Sequence, residues 1–372
     1  MSCIAVPTLS RSCSRYAQPL SLQALRYLHT SRPYLQDAVK PSVKLIATLR
    51  KSRPVPMSLA KEALTACNND MKLAEEYLDK HLSSSAAKSA KLSGRTTNEG
   101  VIAVSILSGK RVGMVQLGCE TDFVARNEVF VKTASGIAST AAFLDIPMEF
   151  EPHQPTLGAD PILTFPVSAL SSAPVISLPS SSSREEGDPA PISSSEPQTV
   201  QQSLNAALGT TGENLRLLRA VTFAAPFPSS KDVRFVPGCY AHGGKSDADG
   251  RVGAVLVLGV TSLDSDKPIA TLIHGPGGQD LEQSLLKLAR TIARQIVGFP
   301  TKVISRKSGK EAVEEGEALM DQPFMMMGEE RRVGEVLAEW GKERGIKVQV
   351  TGFRRWAVGD AIASGTVEES SS

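Results

Sequence analysis

The residues of this chain that are best placed for chemistry lie in one short turn. Residues 121–127, Thr-Asp-Phe-Val-Ala-Arg-Asn, set an aromatic ring beside a carboxylate and precede a helix-like stretch from Glu128 to Leu144. Binding residues concentrate in such turns, which rigid elements hold in place. The turn also has a purely structural interpretation, in which Asp122 caps the helix and Phe123 packs into the core. On local pattern alone, the structural interpretation is favoured.

The remaining reactive side chains do not form a catalytic arrangement. Cys239 and His242 are three residues apart on a predicted strand, so their side chains point to opposite faces. The chain has no GxSxG motif to provide a serine nucleophile for His242. Residues 275–278, Gly-Pro-Gly-Gly, lack the Lys-Ser/Thr ending of a phosphate-binding loop. The five cysteines are scattered without a CxxC pair, so we expect no catalytic residues, no metal site and no cofactor.

Charge is distributed unevenly along the chain. Residues 1–36 contain four arginines and no acidic residue, and their removal changes the net charge from +2 to −2. An Arg- and Ser-rich, acid-free leader is typical of a mitochondrial transit peptide, so we predict one over residues 1–36 and a location in the mitochondrial matrix. The slightly negative remainder and the low aromatic content, 5%, argue against direct nucleic-acid binding. No apolar run is long enough to span a bilayer, so we expect no membrane partner.

Apolar periodicity predicts an α+β protein that begins with a helical module. Residues 42–82 show three short amphipathic stretches with turn residues between them, and they resemble a ubiquitin-associated (UBA-like) three-helix bundle. A linker rich in Ser, Ala and Lys follows, from Ser83 to Thr97.

Two strand-strand-helix units with antiparallel sheets are predicted after the linker. The first subdomain covers residues 98–225 and the second covers 226–365. An Arg-Val-Gly triplet occupies the same point in each hairpin, at 111–113 and 251–253, so we infer that the two subdomains are related by a weak internal repeat. Residues 150–199 are rich in Ser and Pro, which predicts a disordered insertion. In the second subdomain we predict helices from Lys310 to Met320 and from Arg332 to Lys342, and a last strand from Lys347 to Trp356.

Six short strings, in order along the chain, resemble the translation elongation factor Ts family. They are Leu49-Arg50-Lys51 with Lys61-Glu62-Ala63-Leu64, residues 121–127, Gly212-Glu213-Asn214-Leu215 with Arg219, Tyr240-Ala241-His242-Gly243, and Val350-Thr351-Gly352-Phe353-Arg354-Arg355. The resemblance covers about residues 42–362, without the 150–199 insertion. The sequence departs from the family at residues 53–56, Arg-Pro-Val-Pro, where a Gly-rich loop is usual, and at Gly118, where Asn is common.

The resemblance implies a guanine-nucleotide exchange factor for mitochondrial elongation factor Tu, binding it in GDP-bound and nucleotide-free forms. Phe123 would act as a wedge near the Mg²⁺ site, and Asp122 would act on polar groups there. The residues that it implies for partner binding are Thr121, Asp122, Phe123, Val124, Arg126, Asn127, Arg50, Lys51, Met57, His242, Phe353 and Arg354. The stretch between Gly298 and Asp321 is too short for the long coiled coil of bacterial members, so we expect a 1:1 heterodimer.

Two other functions remain open on the sequence alone. The helical module could make the chain a ubiquitin-binding adaptor. The basic residues of the last strand, Arg354 and Arg355, could make it an RNA-binding factor of the mitochondrial ribosome.

Overall fold

The structure is a computed structural model that describes residues 41–52, 55, 57–83, 94–146, 156–176, 198–227, 229–306, 314–328 and 330–362. The predicted transit peptide, residues 1–36, lies outside the described residues.

Helices and antiparallel strands are mixed along the chain, which confirms the α+β class. The helices are α1 (Val43–Ser52), α2 (Met57–Ala66), α3 (Met71–Ser83), α4 (Asp122–Ala125), α5 (Glu128–Phe143), α6 (Val167–Ser172), α7 (Val200–Thr211), α8 (Ile269–His274), α9 (Gly278–Gly298) and α10 (Val333–Lys342). The strands are β1 (Glu99–Leu107), β2 (Arg111–Cys119), β3 (Leu163–Phe165), β4 (Arg216–Ala224), β5 (Arg234–Gly243), β6 (Asp249–Ser262) and β7 (Ile346–Ala357).

The three helices predicted between residues 42 and 82 are present as α1, α2 and α3. They enclose a small apolar cluster of their own, in which Leu49, Leu64 and Leu78 are fully buried. Asp70 begins α3, because its carboxylate accepts the backbone N–H of Lys72 at 2.9 Å.

Both predicted hairpins are present, and their strands belong to one antiparallel sheet. The order is β3-β4-β2-β1-β6-β5, and β7 pairs with residues 252–262 of β6, on the edge opposite β5. The two halves join through a short pairing, in which Ile102 and Ala103 of β1 lie opposite Gly250 and Asp249 of β6.

Beyond this joint the sheet folds over, so that β1 and β2 pack face to face against β5 and β6. Ile102 and Met114 from the first half and Val255 and Val257 from the second half are buried between the two faces. Helix α5 covers the outer face of the first half and α9 covers that of the second. The turn at residues 121–127 is therefore attached to a scaffold that is packed on both sides.

The two Arg-Val-Gly triplets do not occupy equivalent positions. Gly113 faces its helix so closely that a Cβ there would lie 2.6 Å from the backbone nitrogen of Ala142. Gly253 faces the other half of the sheet, where a Cβ would lie 2.5 Å from Cγ2 of Ile102. Gly238 is the residue of the second half that contacts its helix, at Ala289. The shared triplet therefore does not support the repeat, although both units have the strand-strand-helix order.

The prediction of disorder across residues 150–199 is wrong for residues 156–176. This segment forms β3, which pairs with β4, and α6. Phe165 and Leu170 are buried in the same cluster as α5. The Ser- and Pro-rich composition concealed the few apolar residues that bring this part of the chain back onto the sheet. Residues 147–155 and 177–197 lie outside the described residues.

The C-terminal region corrects one further prediction. The described part of the segment from Lys310 to Met320 is not an α-helix, because it contains short 3₁₀ turns at Glu315–Glu317 and Leu319–Asp321. Ala318 lies between the turns in an isolated bridge with Val303. The predicted helix at 332–342 and strand at 347–356 are confirmed as α10 and β7.

Candidate functional site

The turn at residues 121–127 connects β2 to α5 through the single helical turn α4. The side chain of Thr121 caps α4 by accepting the N–H of Val124 at 3.4 Å. Asn127 caps α5 by accepting the N–H of Val129 at 2.9 Å. These two caps fix where each helix begins, and the helix that Asp122 would cap in the structural interpretation is capped by Asn127 instead. Asp122 is the first residue of α4.

Phe123 and Val124 point in opposite directions from this turn. Phe123 is 83% exposed, so its ring stands in solvent and does not pack into the core. Val124 is only 8% exposed and belongs to the cluster beneath α5. This side chain anchors the turn that presents Phe123. Its contact with a partner stays a prediction.

A residue distant in sequence contacts the same turn. One carboxylate oxygen of Glu213 accepts the backbone N–H groups of Glu120 and Thr121 at 3.1 and 3.0 Å, and the other accepts the Thr121 hydroxyl at 2.5 Å. The carboxylate of Glu120 in turn accepts the backbone N–H of Asn214 at 2.8 Å. No local pattern in the sequence indicates a role for Glu120, Glu213 or Asn214. The only available signal was the Gly-Glu-Asn-Leu string at 212–215.

Charged side chains surround the turn in two ion pairs. Arg126 pairs with Asp122 at 3.3 Å, one helical turn away. Arg251, on β6 of the second half, pairs with Glu99 at 2.5 Å. The hydrogen bond to Glu99 raises the pKa of Arg251, and the negative charge of Asp122 acts in the same direction. Arg251 therefore lies close enough to the turn for the negative charge of Asp122 to act on its guanidinium group.

The hairpin turn after His242 lies beside this site. A cavity of about 340 Å³ is lined by Arg126 from the turn and by Lys245 and Arg251 from the β5–β6 connection. His242 is exposed, and its ring stacks on that of Tyr240 with 6.5 Å between the ring centroids. Cys239 lies on the opposite face of β5, as its spacing predicted. The structure therefore brings the 121–127 turn and the strand end that carries His242 to the same end of the sheet.

The other predicted site residues differ in how exposed their side chains are. Phe353 is half-buried against the apolar cluster that α9 covers. The guanidinium group of Arg354 donates hydrogen bonds to the carboxylate of Asp160 and the carbonyl of Ile162. These bonds are internal to the protein. Arg50 and Lys51 are exposed at the end of α1, and Met57 is 62% exposed at the start of α2.

The described residues contain no group of three or more His, Cys, Asp or Glu side chains that could hold a metal ion. A search of the same residues finds no helix whose length and apolarity would allow it to cross a membrane. A packed scaffold that projects one aromatic side chain beside charged residues defines a class of protein that acts through contact with another macromolecule.

Comparisons with known proteins identify the family within this class, although no family model matches the chain. "Elongation factor Ts, mitochondrial" of Cryptococcus neoformans var. neoformans serotype D is 56% identical over 363 residues, which are 96% of each chain. The protein of the same name from Coprinopsis cinerea is 36% identical over 356 residues, which are 90% of this chain and 96% of the relative. The corresponding protein of Laccaria bicolor is 35% identical over 344 residues, 87% of this chain and 93% of the relative. The chain belongs to the elongation factor Ts family. It is a guanine-nucleotide exchange factor of mitochondrial translation elongation.

Proposed function

We propose that the chain releases GDP from mitochondrial elongation factor Tu by inserting Phe123 near the Mg²⁺ and phosphate site, after which GTP rebinds. The observation that carries this mechanism is the position of Phe123, which is 83% exposed on a turn whose neighbouring residues are buried or hydrogen-bonded. An exposed aromatic ring on a rigid support can enter a partner with little loss of conformational entropy. Asp122, the adjacent acid, would act on polar groups that hold Mg²⁺.

The thermodynamic basis of exchange is linkage between two ligands of the GTPase. A factor that binds the nucleotide-free form more tightly than the GDP form must weaken GDP binding by the same free energy. A thousandfold acceleration of GDP release requires about 4 kcal/mol of differential stabilisation. A standard interface of about 1,600 Å² can provide that amount. In this mechanism the chain needs no catalytic residue of its own.

Other parts of the chain would supply affinity for the same partner. The UBA-like module, residues 42–82, would contact the GTPase domain through Arg50, Lys51 and Met57. The first subdomain, residues 98–225, would present the turn. The second subdomain, residues 226–365, would contact a different domain of the partner through His242 and Phe353. Arg354, which bonds to Asp160 and Ile162, would orient Phe353 and the last strand.

The complex would contain one copy of each protein and act in the mitochondrial matrix, without binding nucleic acid or membrane directly. Residues 1–36 would be removed on import, and N-terminal sequencing of the mature protein tests this. A mature protein that starts at Met1 would contradict it. Native mass spectrometry tests the stoichiometry, and a mass of two copies of each chain would contradict a 1:1 complex.

Stopped-flow release of fluorescent GDP tests the function itself. Elongation factor Tu loaded with the fluorescent nucleotide is mixed with excess unlabelled GDP and increasing amounts of this chain. We expect a release rate that rises with the concentration of the chain and then saturates. A rate that stays at the intrinsic value at every concentration would exclude exchange activity. The relatives do not favour the two alternative functions, a ubiquitin-binding adaptor and an RNA-binding factor of the mitochondrial ribosome.

A further inference from the structure

The end of β2 leaves backbone donors that the sheet does not satisfy. The pairing of β2 with β1 ends at Cys119, and its pairing with β4 ends at Gly118. The N–H groups of Glu120 and Thr121 therefore extend beyond both neighbouring strands. The N–H of Glu120, which is half-buried, needs an acceptor, whereas that of exposed Thr121 can bond either to the protein or to water. Helix α4, which follows, has four residues and is too short to hold its own position.

Glu213 supplies the missing acceptors from the other end of the first half. Helix α7 stops at Gly212, whose φ of 76° is left-handed, and this reversal directs the next residue towards β2. The Glu213 carboxylate then receives three hydrogen bonds from Glu120 and Thr121. Hydrogen bonds to an ionised carboxylate are stronger than neutral ones. One side chain therefore fixes both residues that lead into the Phe123 turn.

The contact is reciprocal, which restricts the turn in more than one direction. Glu120 donates its N–H to Glu213, and its carboxylate accepts the N–H of Asn214. The amide of Asn214, a residue only 2% exposed, donates to the carbonyl of Arg95 at 3.0 Å. Arg95 completes the group through an ion pair with Glu120 at 3.4 Å. The turn is thus tied to β4 and to the segment that precedes β1.

Cys119 contributes a further bond on the buried side. Its thiol donates to the carbonyl of Thr121 at 3.2 Å. Burial raises the pKa of Cys119 to about 12, and the charge of Glu213 acts in the same direction. The thiol therefore keeps its proton, and with it the donor, at neutral pH.

We propose that Glu213 is a positioning residue for nucleotide exchange, because it holds residues 120 and 121 so that Phe123 projects in the orientation the partner requires. This inference rests on the exchange function proposed above. Glu213 acts through the turn and does not contact the nucleotide. Without it, the turn samples other conformations, and the exchange rate falls with the fraction of molecules that keep the competent one. If that fraction is about one tenth, exchange slows about tenfold.

A double-mutant cycle between Glu213 and Phe123 tests the proposal in the full chain. Glu213→Ala should slow GDP release about tenfold, measured at a saturating concentration of the chain. Adding Glu213→Ala to Phe123→Ala should change the rate less than about twofold, because a turn without its ring has nothing to position. Glu213→Gln keeps one oxygen for the two N–H groups, and its amide can donate to the Thr121 hydroxyl. This conservative variant should stay within about threefold of wild type. Glu339→Ala, which removes an exposed carboxylate paired with Arg331, is the matched control and should match wild type.

Hydrogen exchange of the free protein gives a readout that does not depend on activity. In Glu213→Ala the amides of residues 120–125 should exchange faster than in wild type, while those of β1 and β4 keep their protection. Loss of protection throughout both strands would show a general structural role and overturn the proposal. Additive effects in the cycle, or equal loss in Glu213→Ala and Glu213→Gln, would also overturn it. If wild type does not accelerate release, the exchange function fails. If wild type and Glu213→Ala accelerate release equally, only the positioning role fails.

Discussion

Replacement of Phe123 by alanine separates a functional role from a structural one. Its side chain is 83% exposed, so the free energy of unfolding should change by less than about 0.5 kcal/mol. If the ring becomes buried in the partner, its loss removes about 1.5–3 kcal/mol of apolar stabilisation. When that stabilisation acts on the transition state for GDP release and not on the GDP-bound complex, its loss slows release about 10- to 150-fold. Phe123→Leu, which keeps much of the apolar volume, should slow it less.

The chain provides a matched control in Phe227, which is 98% exposed on the loop between β4 and β5. Phe227→Ala removes an equally exposed ring and should leave both stability and exchange unchanged. The assay is stopped-flow release of fluorescent GDP at saturating chain, together with urea unfolding of each variant. A Phe123→Ala rate equal to wild type would refute the wedge. Equal losses in both variants would show that the effect is not specific to this turn.

Three further predictions concern the scaffold. Gly113→Ala should destabilise the protein by about 1–3 kcal/mol in urea unfolding because the new Cβ would meet the backbone of α5 at 2.6 Å. Gly136→Ala, whose Cβ would meet only a side chain at 3.3 Å, should change stability by less than about 1 kcal/mol. Phe165→Ala should lose about 3–5 kcal/mol because this residue is 2% exposed in the core, and no loss would mean that residues 156–176 do not pack as described. Burial raises the pKa of Cys119 and of Cys239 from 9.0 to about 12. Between pH 9 and 12 the folded state holds protons that the unfolded state has released, so stability should fall as pH rises. The double alanine variant of these cysteines should show a smaller fall, and an unchanged slope would contradict the assignment.

Local patterns predicted the elements that carry the site. Apolar runs on either side of Gly-containing turns predicted β1, β2, β5 and β6, and helical spacing predicted the helices of residues 42–82 and the long helix α9. Each element buries one face, and this burial sets the spacing of apolar residues within the element itself. The signal can therefore be read from a short stretch of sequence. The aromatic turn was also identified from local sequence, but the direction of Phe123 was not, since the local pattern favoured a ring packed into the core.

What the sequence did not reveal depends on contacts between distant residues. Strand β3 has three residues in a Ser- and Pro-rich region, and only its pairing with β4 defines it. Glu213 acts on a turn more than 90 residues earlier in the chain, so no periodicity could connect them. Val124 looks like its exposed neighbours in the sequence, but the packing of α4 against β1 and β2 turns it inward. The predicted helix ending at Met320 failed because the fold draws Ala318 into a bridge with Val303.

The most direct test of the exchange mechanism is the affinity of elongation factor Tu for GDP with and without saturating amounts of this chain. Linkage requires the chain to weaken GDP binding to elongation factor Tu by the same factor by which GDP weakens binding of the chain. We predict that the GDP dissociation constant, measured by equilibrium titration with fluorescent GDP, rises on the order of a thousandfold, which corresponds to about 4 kcal/mol. An unchanged dissociation constant in the presence of bound chain would contradict the account.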